Sequence, residues 1–439
     1  MIDSAYTVGL YTLGCKVSQY ETEAIGEAFE REGFRTVAFS DAADVYVINT
    51  CTVTEESDRK SRQFIRRAIR KNPSAVVIVI GCYAQRAADE IAKIDGVSAV
   101  IGTQNKLSAV DIAKSYLSGE ATGKTVSVGA LEGAEFEKMC ITRAPRTRAY
   151  VKIEDGCESK CTYCAISPAR GPVRSKARLD VISEVEGLAK SGVAEIVLTG
   201  IETGSYGRDL EEKYTLADLI HELDSRGSCK RIRLGSLAPE LMGRDFTEKV
   251  EGCRILAPHF HISIQSGSDN VLRAMKRRYN AKMAYENIEG LRRIFPEATF
   301  TTDLMVGFPG ETEEDFQSTC DFLRRVGFLD AHVFAYSRRE GTPAAYYEDQ
   351  IPEQVKRERS ERLIALKNEV RDGVLSEVVK SAKALSVILE TERDGVYTGH
   401  SDSFIEVSLK AQSGLKGEIV DVMPIHHKDG VIYGEITKI

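Results

Sequence analysis

Short apolar runs rich in Val, Ile and Tyr alternate with stretches of helical period over most of this 439-residue chain, and no other feature limits its fold as much. The first series runs from residue 6 to about 140, with strand-like runs at 6–12, 45–50 and 75–80 and helix-period segments such as 20–31 beside them. This pattern predicts an N-terminal doubly wound parallel sheet with helices on both faces, an α/β domain. A second series runs from 150 to about 373. Its six strand-like runs, at 150–153, 195–199, 231–235, 260–265, 300–306 and 331–336, predict a partial (β/α)6 barrel that opens its active site at the C-terminal strand ends. Beyond a charged helix at 354–372 come five short strands at 385–390, 395–400, 404–409, 417–423 and 431–437, split by turn signals such as R-D-G and K-D-G. They predict a small antiparallel β-barrel. The expected domains are therefore 1–140, 141–373 and 376–439, with 139–148 as a linker.

Charged residues make up 28% of the chain and the net charge is -7, so any nucleic-acid contact must come from local basic faces. No apolar run reaches the roughly 18 to 20 residues that span a bilayer, and the N-terminal M-I-D-S-A-Y lacks a basic region before an apolar stretch. A cytoplasmic protein is expected. Its ten cysteines then read as metal ligands and buried thiols rather than disulfides.

Six of the ten fall into two sets. Cys157, Cys161 and Cys164 stand in C-E-S-K-C-T-Y-C, directly after Gly156. A zinc site wants four ligands and paired two-residue gaps, whereas three thiolates on one loop suit a 4Fe-4S cluster that keeps one iron free. Zinc-binding or merely buried cysteines are the alternative. Cys15, Cys51 and Cys82 each follow a strand-like run, Y-T-V-G-L-Y-T-L-G, V-Y-V-I-N-T and A-V-V-I-V-I-G. The carboxyl ends of parallel strands open onto one crevice, so these three are placed to share a second metal site, again with one iron open to a sulfur ligand. Buried cysteines at strand ends are the plainer reading. Cys140, Cys229, Cys253 and Cys320 lack such spacing and are taken as structural.

The run C-E-S-K-C-T-Y-C resembles the cluster motif of the radical S-adenosylmethionine enzymes. With T-L-G-C-K-V-S-Q-Y-E-T-E, V-I-N-T-C-T-V-T and G-C-Y-A-Q ahead of it, the whole chain resembles the radical S-adenosylmethionine methylthiotransferase family. Within that family, G-C-K-V-S-Q-Y-E-T and S-D-R-K-S-R-Q-F-I-R are most similar to the MtaB-type branch. Ser18 and Glu202 depart from the family pattern, which has Asn and His there. The resemblance implies two 4Fe-4S clusters, S-adenosylmethionine as cofactor, and a TRAM-like RNA-binding C-terminal barrel. It also implies the reaction: methylthiolation of C2 of N6-threonylcarbamoyladenosine at position 37 of tRNA, beside the anticodon. The cofactor would be cleaved reductively to a 5′-deoxyadenosyl radical, and the cluster at Cys15, Cys51 and Cys82 would supply the sulfur. A flavodoxin or ferredoxin would supply the electron. The alternatives are a methylthiotransferase acting on isopentenyladenosine in tRNA or on a ribosomal-protein aspartate, a radical enzyme whose second cluster only carries electrons, and a noncatalytic iron-sulfur RNA-binding protein.

Given that cofactor, its contacts belong on barrel strand ends. The resemblance sets Tyr163 beside the adenine. In T-G-I-E-T-G-S-Y-G, Gly200 allows close backbone approach and Glu202 can accept from the ammonium. In H-I-S-I-Q-S-G-S, strand alternation puts His261, Ser263 and Gln265 on one face. Ser263 and Gln265 are assigned to the ribose or carboxylate, then Arg277 and Asp303; His259 and His261 fit equally as core histidines. Between residues 59 and 71 the chain has seven basic residues and no acid, and Arg59, Arg62, Arg66 and Arg70 lie along one helix face. That stripe is a candidate for tRNA phosphates or an ordinary solvated face. In the C-terminal barrel, Lys410, Lys416 and Phe404 are the residues open to RNA contact.

Overall fold

The structure is a computed structural model and describes residues 6–438 apart from Pro145 and Glu212. Strands β1 (Thr7–Thr12), β2 (Arg35–Val37), β3 (Val45–Thr50), β4 (Val76–Gly81), β5 (Ala99–Ile101) and β6 (Thr125–Ser127) form one parallel sheet in the order β2-β1-β3-β4-β5-β6. Every residue of β3 and β4 is buried, as central strands covered on both faces require. The three strands absent from the sequence reading, β2, β5 and β6, have three residues each, too few for a period to show. The strand order reverses between β1 and β3, and the crevice beyond a reversal is where doubly wound sheets bind ligands. Cys15 and Cys51 follow those two strands.

The second series comprises β7 (Arg148–Lys152), β8 (Glu154–Asp155), β9 (Arg174–Ser175), β10 (Glu195–Thr199), β11 (Arg231–Leu234), β12 (Ser236–Leu237), β13 (His259–Gln265), β14 (Thr299–Val306) and β15 (Asp330–Ala335). Two parallel sheets result, β11-β10-β7 and β12-β13-β14-β15, joined where β11 runs through Gly235 into β12. Gly235 donates its N–H to Leu198 O at 2.7 Å, and a Cβ there would stand 2.7 Å from Thr203 Oγ1. The expected third strand is thus one strand bent at a glycine. The two-residue strands β8 and β9 pair antiparallel on either side of the Cys157 loop. One apolar core runs through both series, from Ile25 and Phe29 to Ile153 and Val185.

Strands β16 (Leu385–Arg393), β17 (Val396–Ser401), β18 (Glu406–Lys410), β19 (Ile419–Lys428) and β20 (Val431–Lys438) close a barrel in the order β16-β17-β18-β20-β19. A closed ring of five strands cannot be antiparallel throughout, and β18 with β20 is the parallel pair. The charged helix runs further than its sequence suggests, over Glu353–Ser381, because Leu375 and its apolar neighbours in the last turns join the barrel core. Arg231 Nη2 donates to Ser386 Oγ at 2.7 Å and Arg233 Nη1 to Asp402 O at 2.9 Å, so charged residues of β11 hold the small barrel. Phe404, expected to face RNA, instead stacks between His259 and His400, at 4.5 and 4.7 Å, with Arg233 over its ring. It seals the junction of the two barrels. Among the described residues no helix is long and apolar enough to cross a membrane.

Candidate active site

A cavity of about 630 Å³ lies between the carboxyl ends of the N-terminal sheet and those of the central barrel. All six paired-off cysteines line it, together with Tyr163, Gly200, Glu202, Ser263, Gln265, Arg277 and Asp303. A larger one, about 880 Å³, lies beside residues 133–142 and reaches neither cysteine set, so size does not choose the site. Among the described residues no three His, Cys, Asp or Glu side chains gather tightly enough for a single metal ion. The thiols ring a cavity instead, the placement that a polynuclear iron-sulfur unit needs and a lone zinc does not.

Cys15, Cys82 and Cys157 each follow a glycine with positive φ, where the backbone turns sharply. Cys15 caps the helix Lys16–Arg31 after Gly14, and its Sγ lies 3.8 Å from Ser18 Oγ. Cys82 opens the helix Cys82–Arg86 after Gly81 (φ +98°), where a Cβ would stand 2.4 Å from Asn49 Oδ1. In the central loop, Ser159 N donates to Cys157 Sγ and Ile166 N to Cys164 Sγ, both at 3.4 Å. Burial pushes the Cys82 thiol up to about 12, against the Arg170 guanidinium beside it, and Cys157 up to about 11. Burial also raises Cys51 and Cys164. Metal ligation at these thiols therefore releases protons, as thiolate ligation does.

The chain matches two family models: the uncharacterized protein family UPF0004 over residues 7–102 and the radical SAM superfamily over residues 151–323. The threonylcarbamoyladenosine tRNA methylthiotransferase MtaB of Bacillus subtilis (strain 168) is 41% identical over 98% of this chain and 95% of its own length. The chain belongs to the MtaB-type methylthiotransferase family. Its Thermotoga maritima member is 39% identical over 83% of this chain and 82% of its own. A tRNA-2-methylthio-N(6)-dimethylallyladenosine synthase of Acetivibrio thermocellus is 32% identical over 98% and 90%. In fold the chain is similar to the radical S-adenosylmethionine methyltransferase TsrM of Kitasatospora setae, with a TM-score of 0.58 at 15% identity over 78% of this chain and 77% of that one. Membership of the radical SAM superfamily gives the chain an iron-sulfur cluster and S-adenosylmethionine.

On the central-barrel wall of the cavity, Glu202 accepts from Ala238 N at 3.0 Å and donates its own N–H to Glu154 Oε2 at 2.9 Å. Burial pushes the Glu202 carboxyl up to about 7, with Arg277 opposing. A Cβ on Gly200 would stand 2.4 Å from Glu154 Oε2, so this glycine is required by packing. Glu154 itself is fully buried and burial holds it well above the usual carboxylate range. Ser263 Oγ lies 2.5 Å from Ser236 Oγ. Gln265 reaches the cavity through a register shift in β13 and a left-handed backbone (φ +65°), strain of the kind found at ligand sites. The Arg277 fork is committed within the protein: Nε donates to Tyr279 OH at 3.0 Å, Nη1 to Cys161 Sγ at 3.3 Å and Nη2 to Ser263 O at 3.1 Å. Asp303 has His261 Nε2 at 3.2 Å and His332 Nδ1 at 3.5 Å; burial works to raise it, and these two histidines hold it below the usual carboxylate range. Tyr163 meets Phe308 edge-on at 6.4 Å. His259 is a core histidine, buried on Thr301 Oγ1 at 3.0 Å.

Of the basic stripe, Arg59 pairs with Glu56 at 2.6 Å and Arg62 Nη1 donates to Tyr83 OH at 2.8 Å. Arg66 and Arg70 are exposed and make no ion pair among the described residues. Their helix, Glu55–Lys71, begins at the cavity mouth, where Ser57 and Lys60 line the wall. Sequence reasoning misses Arg170, whose Nε donates to Cys82 Sγ at 3.1 Å. It stands inside the run S-P-A-R-G-P at the end of the helix Ile166–Arg170, and neither its spacing nor its neighbours in the sequence mark it.

Proposed function

We propose that this chain methylthiolates C2 of N6-threonylcarbamoyladenosine at position 37 of tRNA, giving the 2-methylthio product. The observation that carries the reading is the meeting of two three-cysteine sets on one cavity wall, in a chain 41% identical to a protein named for that substrate. The synthase named for dimethylallyladenosine matches at 32%, which favours the threonylcarbamoyl substrate over the isopentenyl one.

In this reading Cys157, Cys161 and Cys164 hold the cluster that binds S-adenosylmethionine, and Cys15, Cys51 and Cys82 hold a second 4Fe-4S cluster. When bound, these groups supply a hydrogen-abstracting radical and a transferable methylthio sulfur. The protein's own residues do the rest. Ionised Glu202 accepts from the cofactor ammonium, Gly200 lets the backbone approach, and Tyr163 flanks the adenine. Ser263 and Gln265 contact the ribose or carboxylate, Asp303 closes the far wall, and Arg277 steadies Cys161. Aligning the two cysteine sets across one cavity is the main catalytic contribution, since it converts encounters into fixed geometry. Arg66 and Arg70, exposed on the stripe they share with Arg59 and Arg62, take tRNA phosphates along the helix that starts at the cavity mouth. A flavodoxin or ferredoxin delivers the electron, and the reaction takes place in the cytoplasm.

Mass analysis of tRNA nucleosides from a strain lacking this gene tests the proposal. N6-threonylcarbamoyladenosine should accumulate at the expense of its 2-methylthio form. Loss of the methylthio form of isopentenyladenosine instead would assign the other substrate.

A further inference from the structure

The arginine on Cys82 is not accounted for by cofactor or RNA binding. Arg170 ends the helix Ile166–Arg170 and is fully buried. Besides Cys82 Sγ at 3.1 Å, it donates from Nη1 to Glu21 Oε1 at 2.6 Å and Asp155 Oδ2 at 3.2 Å. Glu21 stands on the helix that starts after Cys15, and Asp155 Oδ1 accepts from Gly156 N, next to Cys157. One guanidinium therefore touches a sulfur of one cysteine set and the framework of both.

Charge makes this contact more than packing. Around Arg170, Lys106 pairs with Glu21 and Glu137, Lys152 with Glu21 and Asp155, and Arg174 with Asp155. The ion pairs join four cations (Lys106, Lys152, Arg170, Arg174) to three carboxylates (Glu21, Glu137, Asp155), none more than 9% exposed. A buried charge without a partner is costly. A Cys82 thiolate, the form that ligates a metal, would bring the anions to four against these four cations, within hydrogen-bond reach of Arg170 Nε. The arrangement has a parallel in Arg277, which donates to Cys161 Sγ in the other set.

We propose that Arg170 is a positioning residue for the cluster held by Cys15, Cys51 and Cys82, fixing the Cys82 sulfur and raising that cluster's reduction potential. Hydrogen bonds to cluster sulfurs stabilise the more negative, reduced state, which is the physical basis of the shift. The inference rests on the two-cluster reading above. The test therefore starts from the Cys157→Ala/Cys161→Ala/Cys164→Ala protein, anaerobically reconstituted, in which only the second cluster remains. Iron-free protein at this stage overturns the two-cluster reading, and this inference with it. With iron present, potentiometry followed by electron paramagnetic resonance compares it with the same protein carrying Arg170→Lys, which keeps the charge and loses the Nε donor. The reduced fraction at a given potential should fall about tenfold, a shift of ~59 mV for one electron. If Arg170→Lys sheds its iron, the pair Arg170→Gln/Glu21→Gln, which removes one charge of each sign, is measured by the same criterion. An unmoved potential in the iron-bearing variant overturns the role of Arg170 alone.

Discussion

Gly156 and Pro172 meet so closely that a Cβ on residue 156 would stand 1.9 Å from the Pro172 carbonyl oxygen. Gly156 also holds φ at +93°, where side chains are disfavoured, and Cys157 N donates to Gly171 O at 3.0 Å just beyond it. The loop carrying Cys157 is thus seated on a contact that only glycine permits. Gly156→Ala should cost the Cys157 cluster, leaving about four of about eight irons per chain after reconstitution. Gly119→Ala, at φ +77° with open space around it, should cost only ~1–2 kcal/mol and no iron. Iron analysis with thermal melts of both variants decides the matter, and full iron in Gly156→Ala would remove the argument.

The Glu202 carboxyl, pushed up by burial to about 7, sets a pH dependence on cofactor binding. Only its ionised form accepts from an ammonium, so S-adenosylmethionine affinity should weaken as pH falls through about 7, approaching tenfold per unit. Glu202→Gln should bind more weakly and show no such slope. Stability moves the other way: the folded value lies above the ordinary one of 4.5, so the contribution is full below that value and is lost as pH rises through about 7. The apo Glu202→Gln protein should therefore melt above wild type near about pH 8, with the gap closing in acid. Equilibrium dialysis and melting curves across that range would show otherwise if Glu202 stays ionised throughout.

What the sequence revealed followed the length of its patterns. β3 and β4 were legible because every residue in them is buried, which leaves an unbroken apolar run. β8 and β9, two residues each, leave no period to read, yet they frame the Cys157 loop. The run H-I-S-I-Q reads as one regular strand, and nothing in it signals the left-handed backbone at Gln265. Cysteines placed just past strand ends could be grouped because parallel strands share one open edge. Arg170 could not be grouped, since its partner Glu21 lies 149 positions away and only the folded charge count explains its burial. Phe404 misled for a related reason: an aromatic in a small barrel reads as a binding platform until the neighbouring barrel supplies His259 to stack on it.

The two cysteine sets should be separable in function. With Cys15, Cys51 and Cys82 replaced by alanine, the Cys157 set stays on its own loop, held by Ser159 N, Ile166 N and Arg277. Cleavage of S-adenosylmethionine to 5′-deoxyadenosine should persist while methylthiolation disappears, with about half the iron retained. Chromatography of cofactor products beside tRNA nucleoside analysis reads both outcomes in one reaction. Methylthiolated product from this variant would sink the idea of a sulfur-donating second cluster.

The final prediction concerns the helix at the cavity mouth. Asp58, Ser61, Ile65 and Ala68 form its buried face, which leaves Arg66 and Arg70 on the solvent side. Arg62 is a different case, because its Nη1 already donates to Tyr83 OH. If Arg66 and Arg70 contact tRNA phosphates, Arg66→Gln/Arg70→Gln should weaken tRNA binding and flatten the slope of log K against log salt by roughly 1.4 to 1.8. Glutamine keeps helix propensity, so melting temperature and iron content should stay at wild-type values. Arg62→Gln should instead lower stability by about 1 kcal/mol through the lost hydrogen bond. Filter-binding titrations from low to moderate salt measure the slope directly. An unchanged slope in the double variant would return the stripe to ordinary solvated surface, and would move the search for phosphate contacts to Lys60, which lines the cavity wall beside Cys51.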